Sequence, residues 1–243
     1  LLKKTLDKPS YLVIKEQIED MITSGQFAIG EKLPSEMQMA KSFRVSRETF
    51  RSAIKLLEQE GKVNVKHGVG TFVTTPLPNI DNSLEKLTKI GELIQSAGLI
   101  EGEKKEYSDV VPATREWANY LSIKVGELVV QHERIRTANG EPVVCSLNIM
   151  PKAIVGNAFE QEELHGSLTE FLENKCHIRT IRSDTELAVP LHIDRYCQKL
   201  LIHPHTTVMQ MIQLHYDELN RPVMLSYDYL RNDIFKFRIR RTR

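Results

Sequence analysis

The 243-residue chain has three cysteines, no long apolar run and almost no net charge, and each shortage removes a class of protein. Cys145, Cys176 and Cys197 are odd in number and none sits in a CxxC pair, which excludes a disulfide framework and a thiolate zinc site and leaves buried free thiols as the expectation. No apolar stretch approaches the ~20 residues that span a bilayer, and Leu1-Leu2-Lys3-Lys4 lacks the apolar core of a signal peptide. A cytoplasmic protein with no membrane partner is expected. Lys and Arg total 33 against 32 Asp and Glu, so the chain as a whole is neither a basic nor an acidic polyelectrolyte. Sets of catalytic groups are also missing: there are no paired carboxylates, no Ser-His-Asp set and no phosphate-binding glycine loop at a working spacing. No catalytic residue, cofactor or enzyme activity is therefore assigned. His203-Pro204-His205 has no Cys or carboxylate at ligand spacing, so no metal is assigned either.

What is present is organised around residues 33–73. Ser35, followed three residues later by Gln38, is a capping-box pattern that opens a short helix with Met39, Ala40 and Phe43 on its apolar side. Arg44 and Val45 make a turn, and Ser46 is placed to cap a second helix in which Phe50, Ala53, Ile54 and Leu57 recur on one face. Arg47, Thr49 and Arg51 then lie on the exposed first turns, where such a helix meets base edges and phosphates. Gly61 ends that helix. Val63 and Val65 alternate into His67-Gly68-Val69-Gly70 and on to Thr71, Phe72 and Val73, a strand, turn and strand. The order helix, turn, helix, hairpin spells a winged helix-turn-helix. The local charge agrees: Lys41, Arg44, Arg47, Arg51, Lys55, Lys62 and Lys66 face only Glu48, Glu58 and Glu60 between residues 41 and 67. Ahead of this, Tyr11, Ile14, Ile18, Met21 and Ile22 form an amphipathic helix ending at Ser24-Gly25.

The run Tyr11, Ile14, Ile18, Ile22, Gly25, Gly30, Leu33-Pro34-Ser35-Glu36, Val45-Ser46-Arg47, Arg51, Leu57-Glu58, Gly61 and Gly68-Val69-Gly70-Thr71 resembles the signature of GntR-family bacterial transcription regulators. The resemblance implies binding of pseudo-palindromic double-stranded operator DNA by a homodimer. It assigns the DNA contacts to Ser35, Glu36, Ser46, Arg47, Thr49 and Arg51 and to the wing residues Lys66, His67, Gly68, Gly70 and Thr71. Met37 and Glu48 depart from the pattern of some relatives, at positions that bear on which operator is read.

Length and a 41% hydrophobic content suit two domains. Two prolines and no periodicity in Thr74-Thr75-Pro76-Leu77-Pro78-Asn79 mark the break, giving a DNA-binding domain over 1–75, a linker over 76–81 and a second domain over 82–243. Leu84, Leu87, Leu93 and Ile94 predict an amphipathic helix from Ser83 to Ala97. Beyond it lies an internal repeat, in which 121–146 and 201–226 correspond at a constant offset of 80 residues. Each copy runs from a short helix after Pro112 or Pro190 through a strand, a turn (Asn139-Gly140 or Asn220) and a second strand. With a helix over 166–174 and a last strand through Phe235 and Phe237, this predicts an α+β domain around a mixed or antiparallel sheet, in an α/β two-domain chain.

Glu133-Arg134-Ile135-Arg136, Gly140-Glu141-Pro142-Val143, Met150-Pro151, Gly166-Ser167-Leu168 and Pro222-Val223 through Ser226 to Tyr229 and Asp233 resemble the UTRA ligand-sensing domain of the HutC subfamily, which is similar in fold to chorismate lyase. In the offset-80 alignment Arg134 and Arg136 stand opposite Leu214 and Tyr216, so the fold itself does not demand arginine there. Two guanidinium forks on one strand face suit a carboxylate or phosphate. The resemblance places such a small anionic effector, a sugar phosphate or carboxylate, on Arg134, Arg136, Ser83, Ser167 and Thr169, with Ser146, Asn148, Tyr229 and Arg231 lining the variable side. The competing reading of the arginines is a solvated strand face paired with Glu133 or Glu141. The whole chain reads as a repressor controlled by a metabolite; the alternatives are a constitutive dimeric DNA-binding protein and a lyase-like enzyme acting on a small carboxylate.

Overall fold

A computed structural model describes residues 8–74, 77–162, 164, 166–200 and 206–240. The chain separates into two compact units, the first running to Leu77 and the second beginning at Pro78. His203 and His205 lie outside the described residues.

In the first unit, helix α1 (Ser10–Thr23) is followed by α2 (Glu36–Ser42), α3 (Arg47–Gln59) and the hairpin of β1 (Val63–Lys66) and β2 (Gly70–Val73). The local signals act where the sequence places them. Ser35 and Gln38 close the capping box, and the Ser46 hydroxyl accepts from the Thr49 N–H at 3.1 Å. Between α2 and α3 the chain turns through Arg44 in the left-handed region at φ 54°. Phe50, Ala53, Ile54 and Leu57 of α3 are buried against Ile14, Ile18, Met39 and the hairpin residues Val63 and Val73. Isolated helices of this length are marginal in water, so this apolar seam, rather than propensity, fixes α3. The hairpin gains a third backbone partner from the segment before α2: Leu33 N–H donates to the Thr71 carbonyl and Val73 N–H to the Glu31 carbonyl, both at 2.8 Å. Gly70 is required at its position. Its φ of +141° is closed to most side chains, and a Cβ there would lie 2.4 Å from Cε of Lys32.

The second unit runs β3 (Ile80–Ser83), α4 (Ile90–Ser96), β4 (Glu101–Pro112), α5 (Arg115–Leu121), β5 (Leu128–Ala138), β6 (Glu141–Pro151), α6 (Lys152–Val155), α7 (Ala158–Gln161), α8 (Leu168–Cys176), β7 (Thr180–Ala188), α9 (Arg195–Gln198), β8 (Val208–Asp217), β9 (Pro222–Arg231) and β10 (Phe235–Arg238). Six strands form one antiparallel sheet in the order β4-β5-β6-β9-β8-β7. The two repeat hairpins, β5-β6 and β8-β9, join side by side through β6 and β9, where Ser146 pairs with Asp228 and Asn148 with Ser226. One face packs on α5 and α9, with Leu121, Ile135, Leu147, Tyr196, Leu200 and Tyr227 in its core. The opposite face carries a smaller apolar cluster beside α6 and α8, including Val130, Met150, Leu172 and Met224, and next to it a cavity.

Three expectations change. The helix expected over Ser83–Ala97 is only seven residues, Ile90–Ser96; Ser83 ends a strand and Leu87 is exposed. The expected linker is shorter than 76–81, because Ile80 and Asp81 pair in parallel with Phe235 and Lys236 of β10. The last strand thus stands outside the main sheet. The third concerns the repeat. The first hairpin turns on two residues, Asn139 and Gly140, between the paired Ala138 and Glu141. In the second, Asp217 N–H donates to the Arg221 carbonyl at 3.1 Å, which leaves three residues in the turn. The extra residue slides β8 by one position against β9. Gln213 therefore pairs with Ser226 and His215 with Met224, as Arg134 pairs with Ser146 and Arg136 with Val144. The structural counterparts of Arg134 and Arg136 are Gln213 and His215, while Leu214 packs in the core of the other face.

Candidate DNA-reading surface and ligand cavity

On the first unit, the Ser46 cap orients α3 so that its apolar seam faces the core and Arg47 and Arg51 stand in solvent. Thr49 is half-buried, and its hydroxyl lies 2.8 Å from that of Ser46. Arg51 Nε donates to the Glu36 carboxylate at 2.8 Å, so two of the sequence-assigned residues from different helices meet at the surface. Lys66, His67 and Gly68 are exposed on the hairpin, with Val69 at its tip; Lys66 also lies 5.0 Å over the Phe72 ring. Cations thus project from both the helix tip and the wing. Nothing in these positions is buried by the unit's own core, which is what a surface that must meet a phosphate backbone requires.

On the second unit, the cavity has a volume of about 670 Å³. Its floor is the sheet face formed by alternate residues of four strands: Arg134 and Arg136, then Ser146 and Asn148, then Ser226 and Asp228, then Gln213 and His215. Residues 83–90 and the start of α8 wall it, bringing Ser83, Ser167 and Thr169 to the same space. Ser167 occupies the N-cap position of α8 but makes no side-chain cap bond; its hydroxyl faces that of Thr169 at 2.8 Å. The first N–H groups of this helix thus lack a side-chain cap from Ser167, and residues 167–170 line the cavity.

Arg134 and Arg136 are only 4% and 8% exposed, which rules out the solvated strand face. Their ion-pair partners are Glu103 and Glu101 on β4; Glu133 instead meets Lys199, and Glu141 meets Arg231. Both guanidinium groups also donate to the Gly166 carbonyl, at 2.6 and 2.9 Å, which ties them to the turn that starts α8. Arg134 Nε is buried without a hydrogen-bond partner. Burial lowers the Arg134 pKa to about 10 and that of Arg136 below its ordinary value, so both remain cationic near neutrality. Further along the floor, the Asp228 carboxylate accepts from Ser146 and, at 2.7 Å, from Gln213 Nε2. Burial pushes that carboxyl up, while those two donors and the Arg136 charge oppose the rise. His215 is 7% exposed with Nδ1 unpartnered, and burial holds it down to about 4, so it is neutral at physiological pH. The cavity floor thus holds two ion-paired arginines at one end and Ser146, Asn148, Ser226, Gln213, the neutral His215 and the Asp228 carboxyl at the other.

Two assigned residues are not there. Tyr229 and Arg231 have the odd parity of β9 and point to the opposite face: the Tyr229 ring meets that of Tyr196 in a tilted pair at 5.4 Å, and Arg231 is bound by Glu141 and Asp233. A strand sends successive side chains to opposite sides, so Ser226 and Asp228, not 229 and 231, share the cavity with Ser146 and Asn148. The offset of 80 that links Ser146 to Ser226 contained that signal. Gln213 and His215 had none, because the turn length that positions them is not visible in the repeat pattern. Among the described residues no cluster of His, Cys, Asp or Glu could hold a metal, and no helix is long and apolar enough to cross a membrane.

Comparison with known proteins agrees with both halves. A family model described as bacterial regulatory proteins, gntR family, matches residues 10–73, and the UTRA domain model matches residues 105–236. The chain is 28% identical over 179 residues to the HTH-type transcriptional repressor NagR of Bacillus subtilis, covering 74% of this chain and 72% of that one. It is 27% identical over 212 residues to the probable transcriptional regulator PhnF of Escherichia coli, covering 87% of each. The crystal structure of PhnF from Mycobacterium smegmatis shares the fold, with a TM-score of 0.62 at 23% identity over 95% of this chain and all of that one. A DNA-binding helix-turn-helix followed by an effector domain, with no enzyme among these relatives, settles the class: the chain belongs to the GntR family of bacterial regulatory proteins and is a transcriptional regulator carrying a UTRA domain.

Proposed function

We propose that the protein is a homodimeric repressor that releases a pseudo-palindromic operator when a small anionic metabolite, a sugar phosphate or a carboxylate, occupies the second unit's cavity. Two reading helices related by a twofold axis supply the operator symmetry, since one helix covers only a few base pairs. Ser46, Arg47, Thr49 and Arg51 read the major groove, Ser35 and Glu36 support them, and Lys66 to Thr71 follow the adjoining backbone. The observation that carries the ligand reading is Arg134: a buried cation with one donor left unsatisfied, beside a second arginine and facing a helix start whose N–H groups have no side-chain acceptor. An anion completes all three at once. Ser83 and Thr169 add hydroxyl donors, and Ser146 and Asn148 meet the uncharged part of the ligand. Release then requires that the ligand prefer the arrangement that does not bind DNA.

Selecting operator sequences from a random DNA pool with the purified protein, then screening metabolites for release, tests this reading. Arg134→Ala is expected to keep operator affinity and lose release; a variant still released by the same metabolite would place the ligand elsewhere. Absence of any release, with no metabolite raising thermal stability, would favour the constitutive DNA-binding alternative.

A further inference from the structure

The first turns of α3 carry a carboxylate as well as arginines. Each residue of a helix is rotated by about 100° from the one before it, so the buried seam of Phe50, Ala53, Ile54 and Leu57 leaves Glu48, Ser52 and Lys55 on the face directly opposite, with Arg51 beside them. All four are exposed. Glu48 is thus the outermost residue of the first turn, nearer the middle of the outward face than Arg47 or Thr49. A reading helix enters the major groove by that face and contacts base edges from its N-terminal end.

The other carboxylates between residues 33 and 73 are held inside the unit. Glu36 binds Arg51 at 2.8 Å, Glu58 accepts from the Val65 N–H at 3.1 Å, and Glu60 meets Lys15 and Lys62 at 2.7 and 3.1 Å. The Glu48 carboxylate has no hydrogen-bond or ion-pair partner among the described residues, although Arg47, Arg51 and Lys55 stand exposed on the same helix. A negative charge at a helix start gains from the helix dipole, which accounts for its place when DNA is absent. Against DNA the balance changes: a bare carboxylate carried between phosphate backbones is repelled unless a base edge gives it a donor. In the major groove only the exocyclic amines of cytosine and adenine donate. The adenine amine lies between two acceptors, its own N7 and the O4 of the paired thymine, whereas the cytosine N4 amine has an acceptor on one side only. A lone carboxylate therefore favours cytosine.

We propose that Glu48 is a specificity-determining residue, which selects cytosine at one operator position by accepting from its N4 amine and repels guanine and thymine there through their acceptor oxygens. This inference rests on the reading of α3 into the major groove and adds a preference that the arginines do not supply. Arg47 and Arg51 only donate, and so favour guanine; a carboxylate only accepts.

Selection of operators from a random DNA pool with full-length wild type, Glu48→Ala and Glu48→Gln tests the proposal, with fluorescence anisotropy at fixed salt on the selected sites. Circular dichroism melts show that each variant is folded; the residue is exposed, so neither change disturbs the core. Wild type is expected to select a cytosine position that Glu48→Ala no longer selects. Replacing that C·G pair by T·A should weaken wild type by about 5- to 150-fold for each reading helix engaged, and Glu48→Ala by less than about threefold. Glu48→Gln should admit adenine there, since a carboxamide can bind its N6 and N7 together. If both variants select the wild-type bases at every position, the proposal is overturned and Glu48 serves the helix start alone. Selectivity lost at a position where wild type prefers another base would overturn the cytosine assignment. A wild type that selects no sequence would overturn the reading of α3 into the groove itself.

Discussion

Replacing Arg51 by Ala separates its ion pair with Glu36 from its proposed contact with DNA. Its ion pair with Glu36 spans the surface between α2 and α3 at 2.8 Å, with the partners' side chains 55% and 31% exposed. Exposed pairs of this kind contribute about 0.2–1 kcal/mol, since the Coulomb gain is weak in water and two long side chains lose freedom. For a unit of this size about 0.5 kcal/mol corresponds to a melting shift of roughly 2–4 °C. The loss on DNA is larger. A bidentate arginine contact to a base edge is worth about 1–3 kcal/mol, and the proposed dimer would make it twice, so on that reading specific operator affinity should fall by about 30-fold to 10⁴-fold. Fluorescence anisotropy with a selected operator and with scrambled DNA, at fixed salt, measures both terms beside a thermal melt. Specific affinity retained within a factor of three, or a large drop in melting temperature, would refute the assignment of Arg51 to the groove and make it a structural strut of α2 and α3.

Two further outcomes follow from burial. Leu57 is fully enclosed between α1 and the hairpin, so Leu57→Ala should destabilise the first unit by about 2–5 kcal/mol, read by urea denaturation, and abolish operator binding at temperatures where the second unit stays folded. His132 and His215 are each held down to about 4 by burial. Below the ordinary value near 6.5 the unfolded chain takes up protons that the folded one refuses, so stability present above pH ~6.5 is lost as pH falls toward ~4. Asp228, whose carboxyl is raised, acts in the opposite sense as pH rises through its folded value. Melting temperature should therefore drop from pH 6.5 to pH 4.5, and His215→Gln should flatten that slope; an unchanged slope would mean that His215 charges freely in the folded state.

The DNA-reading half was legible because its signals are local. Ser35 with Gln38, Ser46 before Arg47 and the apolar spacing of Phe50, Ala53, Ile54 and Leu57 each act within a turn or two of helix, so the linear order of residues already contains the geometry. The same spacing rule failed at Leu84 and Leu87, where the apolar pair sits in the loop that walls the cavity and only the Ile90–Ser96 segment closes into a helix.

In the second unit, the sequence by itself determined that two hairpins recur and that Arg134 and Arg136 share a strand face. Tertiary structure alone decided what joins them there. The order β4-β5-β6-β9-β8-β7 brings the hairpins together at Ser146 and Asp228, and the three-residue turn after Asp217 slides β8 by one so that Gln213 and His215 face the cavity. Side chains alternate along a strand, so that single extra residue in a turn exchanges which of them faces the cavity and which meets the core. Burial of Arg134 and Arg136 behind Glu103, Glu101 and the Gly166 carbonyl likewise depends on groups some thirty residues away in the chain, which come within reach only once the sheet and α8 are assembled.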